Sequence, residues 1–342
     1  MDSQKYLYQV MIGTGGIGSG TFFLLNDNHT LGREESRSGH YLDKNDYCKL
    51  HIISHYVKVL LGQEFQVFPI GKVGDDEIGK KILNEMKEID LSLKYVGIEK
   101  GKNTLFSFCF IYPDKSGGNM TTDNSACSCV NEEYVLKAEK EFQNYSGKGI
   151  ALAVPEVSLQ ARIKLLDMGI MHKCFTVASF TSEEMKEIMN SKILEKVNLL
   201  CINLDEAASA IKLNIKEYIP SDIVDKAVKA FTSINSNILI SITNGKEGSY
   251  VWNGSEISYM PAMKVDVVST AGAGDAFTAG LIVGIVSKFS LREAQELATL
   301  TGACSVTSPH TINKNLNRTQ LLKIGHGGEY QLSKKVSEVL EA

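Results

Sequence analysis

Val267-Val268-Ser269-Thr270-Ala271-Gly272-Ala273-Gly274-Asp275-Ala276-Phe277 runs directly into the small and apolar stretch Thr278–Val286. A loop of small residues opening a helix leaves backbone N–H groups without partners and sets the positive end of the helix dipole beside them. Such a cradle stabilises developing negative charge, as phosphoryl transfer requires. Asp275 falls in the first turn, where its carboxylate is placed to take a proton from a hydroxyl attacking a γ-phosphate. The pattern alone leaves a plainer reading open, in which Asp275 caps a helix after a glycine turn.

Upstream, short runs rich in Val, Ile and Phe recur, each followed by a longer amphipathic segment. Strands are predicted at Tyr8–Ile12, Phe65–Ile70, Gly149–Val154, Cys174–Ala178, Leu199–Asn203 and Ile238–Thr243. Helices are predicted at Asp76–Ile89, Val157–Met168, Ser182–Lys196, Asp205–Ile211 and Ser221–Ile234. That alternation specifies an α/β fold, a parallel sheet covered by helices. Two stretches break it. Thr104–Tyr112 carries Phe106, Phe108, Phe110 and Tyr112 at period two before a turn-forming Pro-Asp-Lys-Ser-Gly-Gly, which predicts a hairpin. Thr21–Leu25, the turn Asn26-Asp27-Asn28 and the polar segment to Leu42 are too short and polar for another βα unit. With no long linker, residues 1–342 read as one domain whose irregular segments, approximately 14–45 and 98–125, build a small β-sheet lid over the carboxyl edge of the main sheet.

The 342 residues are 43% hydrophobic and 22% charged, enough for a substantial core. A formal net charge of −4 without a basic block gives no footprint for nucleic acid. No apolar run approaches the roughly 20 residues needed to span a bilayer. Residues 1–13 lack the pattern of a secretory signal. Seven cysteines without framework spacing read as reduced, buried thiols, so the expected setting is the cytoplasm.

Gly272-Ala273-Gly274-Asp275 resembles the Gly-Ala-Gly-Asp signature of the ribokinase-like (PfkB) carbohydrate kinases, and three further segments are similar to that family in the right order. Gly71-Lys72-Val73-Gly74-Asp75-Asp76-Glu77-Ile78-Gly79 resembles its early Gly-x-x-Gly-x-Asp-x-x-Gly segment. Asn203-Leu204-Asp205-Glu206 resembles its Asn-x-x-Glu motif, and Thr243-Asn244-Gly245-Lys246-Glu247-Gly248 its Gly-x-x-Gly segment near the nucleotide. Each match has a local alternative: Asp205 and Glu206 suit a helix start, and Gly245 and Gly248 suit a hairpin. Their ordered combination is what is specific.

The resemblance implies a ribokinase-like three-layer α/β/α sandwich with a small β-sheet lid and an ATP- and Mg2+-dependent transfer of phosphate to a sugar-like hydroxyl. Asp275 would be the general base, and Gly272, Ala273 and Gly274 the anion hole. Asn203 and Glu206 would hold magnesium through water. Thr243, Gly245 and Gly248 would lie beside ATP, with Thr301–Thr307 on the adenine side. The resemblance also allows a monovalent cation and a homodimer joined through the lid.

Two departures stand out. Ser269 occupies a position where the family usually has aspartate. The family's early aspartate and Gly-Gly…Asn acceptor segment are replaced by Gly13-Thr14-Gly15-Gly16-Ile17-Gly18 and by a predicted helix over Tyr47–Leu61 bearing Lys49, His51 and His55. Candidates for the acceptor site are therefore Asn26, Asp27, Arg33, Glu34, Arg37 and His51, the arginines suiting phosphate and the carboxylates sugar hydroxyls. The alternative for the charged loop is a solvated surface.

Rival readings remain. Gly13-x-Gly-x-x-Gly18 imitates the fingerprint of an NAD(P)-dependent oxidoreductase, which needs a following helix. A catalytically degenerate sugar- or nucleotide-binding regulator is the non-enzymatic alternative. The absence of Gly-x4-Gly-Lys-Ser/Thr argues against a P-loop enzyme.

Overall fold

The structure, a computed structural model, describes residues 6–114, 117–327 and 332–341, with backbone alone at Asp43 and Gly117. Its strands are β1 Val10–Thr14, β2 Gly18–Leu25, β3 Gly39–Tyr47, β4 Gln66–Gly74, β5 Tyr95–Glu99, β6 Leu105–Ile111, β7 Gly117–Thr121, β8 Gly149–Ala153, β9 Phe175–Ala178, β10 Leu199–Asn203, β11 Leu239–Thr243, β12 Ser249–Trp252 and β13 Ile257–Met260. The main sheet has the order β13-β12-β11-β10-β9-β8-β1-β4-β5. From β11 to β5 every pairing is parallel, and β12 and β13 add an antiparallel edge.

Parallel strands buried on both faces need two cores, and the side chains alternate between them. Met11, Ile150, Leu152, Leu199 and Cys201 enter one core, while Val10, Ile12, Ala151, Ala153, Leu200 and Ile202 enter the other. The first core is closed by the helices Lys49–Leu61, Ala273–Val286 and Leu291–Ser305, the second by Leu159–Met171, Leu204–Ala210 and Pro220–Ile234. This is the expected three-layer sandwich. The helices Ala273–Val286 and Leu291–Ser305 pack closely through glycine. A Cβ on Gly280 would lie 2.5 Å from Ala298 Cα, and one on Gly284 would lie 2.6 Å from Ala294 Cα.

The irregular segments form a second sheet, β3-β2-β6-β7. β6 pairs with β7 as the expected hairpin, although Lys115 and Ser116 at its turn lie outside the described residues. The stretch from Thr21 to Leu42 is more regular than its polarity suggested, because β2 finds partners on both sides. One face of this sheet carries Ser107, Cys109, Phe22 and Asp46, and the other Phe23, Phe108, Phe110, Tyr41 and Met120.

Two helix expectations are corrected. Ser182–Lys196 divides into Met185–Met189 and a 3-10 turn at Ile193–Lys196. Asn190 and Ser191 break it by capturing the carbonyls of Lys186 (2.7 Å) and Ile188 (3.0 Å) with their side chains. The helix expected from Tyr47 begins at Lys49, since Tyr47 is still paired in β3. The segment after Gly18 is strand, so the dinucleotide reading loses the helix it needs. Among the described residues no helix is long and apolar enough to cross a membrane.

Candidate active site

The carboxyl ends of the parallel strands define one edge, and the helix Ala273–Val286 begins there. Gly272 is its N-cap, in the left-handed region at φ 76°. A side chain at that position would be strained, and a Cβ would also meet the Thr311 carbonyl oxygen at 2.9 Å. In the first turn, the Ala273 amide donates to the Thr270 carbonyl at 3.3 Å, so Ala273 is not a free donor as the sequence suggested. Among the described residues the Gly274 and Asp275 amides have no acceptor within the protein. A Cβ on Gly274 would meet nothing within 4 Å, so this turn opens onto empty space.

The turn is braced from behind. The Thr311 amide donates to the Asn45 carbonyl (3.2 Å), and Thr311 Oγ1 accepts from the Tyr47 amide (2.8 Å). His310 Nδ1 accepts from the Asn45 amide (2.9 Å), and the Tyr56 hydroxyl bridges the Thr311 carbonyl and the Asn313 amide. The base of β3 is therefore fastened to the residue that packs on Gly272.

Charged groups gather in front of the turn. Lys49 Nζ lies 3.3 Å from Asp275 Oδ1, and this pairing, with help from Glu156 and Glu206, raises the lysine above its ordinary range. The Lys49 amide donates to Glu156 Oε2 at 3.1 Å. Glu156 follows β8 in a left-handed conformation at φ 78°, unusual for a residue with a side chain. Burial pushes its carboxyl up to about 7, Lys49 opposes the shift, and Asp275 and Asp46 add to it. Asp46, on the inner face of the second sheet, accepts from Ser107 Oγ and Cys109 Sγ, and burial raises its pKa above the usual carboxylate value. Burial also raises Glu206, with Lys49 opposing and Asp275 contributing. Glu206 and Asn203 form a reciprocal capping box at 2.8 Å, and Asn203 is in register with Thr243 on the neighbouring strand.

Comparison with known proteins identifies the family. Residues 54–318 match the pfkB family carbohydrate kinases. The chain belongs to that family. A 2-dehydro-3-deoxygluconokinase of Bacillus subtilis is 27% identical over 288 residues, covering 78% of this chain and 86% of the relative. A ribokinase from Lactococcus lactis is 24% identical over 243 residues, covering 70% and 73%. Among solved structures, a ribokinase from Giardia lamblia superposes with a TM-score of 0.78 at 16% identity, covering 92% of this chain and 98% of that one. A Cryptococcus neoformans ribokinase in complex with ADP gives 0.75 at 18% identity, covering 92% and 98%. The protein is a carbohydrate kinase with a ribokinase-like fold, and its family uses ATP.

In this pfkB kinase the structure brings Gly272–Asp275, Asn203, Glu206 and Thr243 to one edge. Gly245 begins the turn between β11 and β12 at φ 52°, and a Cβ there would meet nothing within 4 Å. Gly248 closes the turn at φ 114°, where a Cβ would strike the Met260 carbonyl oxygen at 2.1 Å. Its role is therefore at least that of a hairpin glycine. Thr301 is fully buried, and its hydroxyl donates to the Leu297 carbonyl (2.7 Å), so it lines no open surface.

The acceptor candidates fare differently. Asn26, Asp27, Arg33, Glu34 and Arg37 sit between β2 and β3 at the end of the second sheet opposite Asp46, about 20 Å of strand away from Gly20. Arg37 is held by Asp27 and the His29 carbonyl, and Arg33 and Glu34 are exposed. The structure does not bring them to Asp275, because β2 carries the chain away from the edge before the charged loop begins. His51 is also displaced from the site. It lies two positions from Lys49 on the helix and so faces another way, buried at 1% exposure against Tyr47 and His55. Burial lowers its pKa to about 3, keeping it neutral.

Sequence reasoning missed Asp46 and Glu156. Glu156 was findable as the acid just past a predicted strand at the carboxyl edge, whereas Asp46 had no local signal. The folded state holds the Glu156 proton more tightly than the unfolded chain, whose carboxyl titrates near 4.5. Its stabilising contribution is therefore full below that value, declines as pH rises to about 7 and is flat above. Glu156→Gln removes this decline, so the melting temperature of the variant should rise relative to wild type across that window. Parallel melting curves against pH would contradict the assignment.

Proposed function

We propose that this carbohydrate kinase moves the γ-phosphoryl group of ATP to a hydroxyl of a sugar or sugar-like molecule, with Asp275 as general base and the Gly272–Gly274 turn, extended to the Asp275 amide, as the anion hole. One observation carries the reading: a carboxylate and two unpartnered amides share the first turn of a helix that opens onto empty space. The acceptor hydroxyl gives its proton to Asp275 as its oxygen attacks the γ-phosphorus. The free amides stabilise the charge that develops on the phosphoryl oxygens. The spread of names among the relatives, from a ribokinase to a 2-dehydro-3-deoxygluconokinase, supports an acceptor of this general kind.

Magnesium suits the residues present. Asn203 and Glu206 spend one oxygen each on their capping box, and the second Glu206 oxygen is left to hold a hydrated ion. Mg2+ ordinarily keeps several waters and takes one or two carboxylates besides the substrate phosphates. When bound it would neutralise phosphate charge. We also read the chain as one kinase domain with the second sheet as its lid, and the outer lid face as the contact between two copies. Phe23 and Phe108 stack there at 5.8 Å between ring centroids, beside Tyr41 and Met120 at 67% and 57% exposure. Such an aromatic face is costly to leave in water.

Two experiments test these readings. ADP release from MgATP is measured against sugars, sugar phosphates and nucleosides, with Asp275→Asn as control. The variant should lose at least about 10²-fold in turnover while still binding ATP, and near-normal turnover would remove Asp275 from its role. Light scattering should give the mass of a dimer for wild type and of a monomer for Phe108→Glu, and a monomeric wild type would rule the lid contact out.

A further inference from the structure

Lys49 opens its helix, and its side chain, 35% exposed, is paired with an Asp275 side chain that is 16% exposed. The backbone amide of Lys49 is held separately by Glu156, which fixes where the side chain leaves the helix. The ammonium thus stands at the open first turn of Ala273–Val286, beside the two unpartnered amides. Carboxylates converge on this point from several elements: Asp275 and Glu206 from two helix starts, Glu156 from the segment after β8, and Asp46 from β3. The neighbouring Cys48 thiol is kept protonated by burial. A partly exposed ion pair adds little to stability, so folding alone does not account for a lysine on the proposed base.

We propose that Lys49 is a further catalytic residue of the transfer. Its ammonium pairs with the Asp275 carboxylate before the acceptor binds, then with the transferring phosphoryl group as charge builds on it. The proposal rests on Asp275 being the base. In the step, the acceptor O–H proton passes to Asp275, the bond from the acceptor oxygen to the γ-phosphorus forms, and the bond from that phosphorus to the β,γ-bridging oxygen breaks. ADP carries away the electron pair of the broken bond. Lys49 keeps its proton throughout, and Asp275 later returns its own to solvent. A flexible four-carbon stem bearing a compact charge suits this exchange of partners.

The test compares wild type, Lys49→Met, Lys49→Gln, Lys49→Arg and Asp275→Asn with the best acceptor found by ADP release. Two neutral variants guard against one that fails to fold, and melting temperatures near wild type confirm folding. Lys49→Met and Lys49→Gln should each lower kcat by about 10²-fold, with kcat/KM falling in parallel. Lys49→Arg should recover most of the activity. Wild-type kcat in the neutral variants, or a loss confined to KM, would overturn the role of Lys49. Asp275→Asn separates the two claims: if it is inactive while the neutral Lys49 variants are normal, Lys49 alone is wrong; if it is active, the base reading falls first.

Discussion

The carboxyl edge of the sheet depends on the left-handed turn at Gly272. With a side chain there the turn would be strained and pressed against the Thr311 carbonyl, and the helix behind it would start elsewhere. The absence of a Cβ lets the helix begin end-on at the edge, with Gly274 and Asp275 donors facing open space and the Asp275 carboxylate beside them. Thr311 closes on the turn from behind. Because Thr311 donates its amide to the Asn45 carbonyl and accepts from the Tyr47 amide, β3 is anchored to the residue behind the turn. A shift of β3 would reach Thr311 through hydrogen bonds of 2.8 and 3.2 Å, and Gly272 through the close packing of Thr311 on it.

The second organising constraint is electrostatic. Asp275, Glu156 and Glu206 act on a single lysine, Asp46 faces Asp275 and Glu156, and burial adds to their mutual repulsion by raising Asp46, Glu156 and Glu206. Such crowding is unfavourable for stability and is tolerated where it serves chemistry. The histidines nearest in sequence do not relieve it, since burial keeps His51 and His55 uncharged within the first core. Lys49 and the helix amides are therefore the groups through which this site can accept further negative charge.

The parts of this account that were legible in the sequence are those set by local backbone rules. Gly272–Asp275 declared a helix start, Asp205 and Glu206 suited another, and the alternation of β-branched runs with amphipathic segments declared a parallel sheet. Register then placed Asn203 beside Thr243 without any further signal. The acceptor side was illegible for a different reason. Charge marks a residue as polar but does not say which way its strand carries it, and β2 takes Asn26 to Arg37 to the far end of the second sheet. Asp46 lies far along the chain from Asp275, and the pairing of β3 with β2 and its anchor at Thr311 bring it back. The broken helix after Ser182 shows the converse, where two polar side chains outweighed an apolar pattern.

The central claim is that phosphoryl transfer takes place on the first turn of the helix Ala273–Val286. A crystal structure with ADP, magnesium and aluminium fluoride, a planar mimic of the transferring group, tests it most directly. The account predicts fluoride ligands within hydrogen-bond distance of the Gly274 and Asp275 amides, with the Asp275 carboxylate on the side away from ADP. A mimic bound elsewhere on the sheet edge, with that turn still open to solvent, would contradict it.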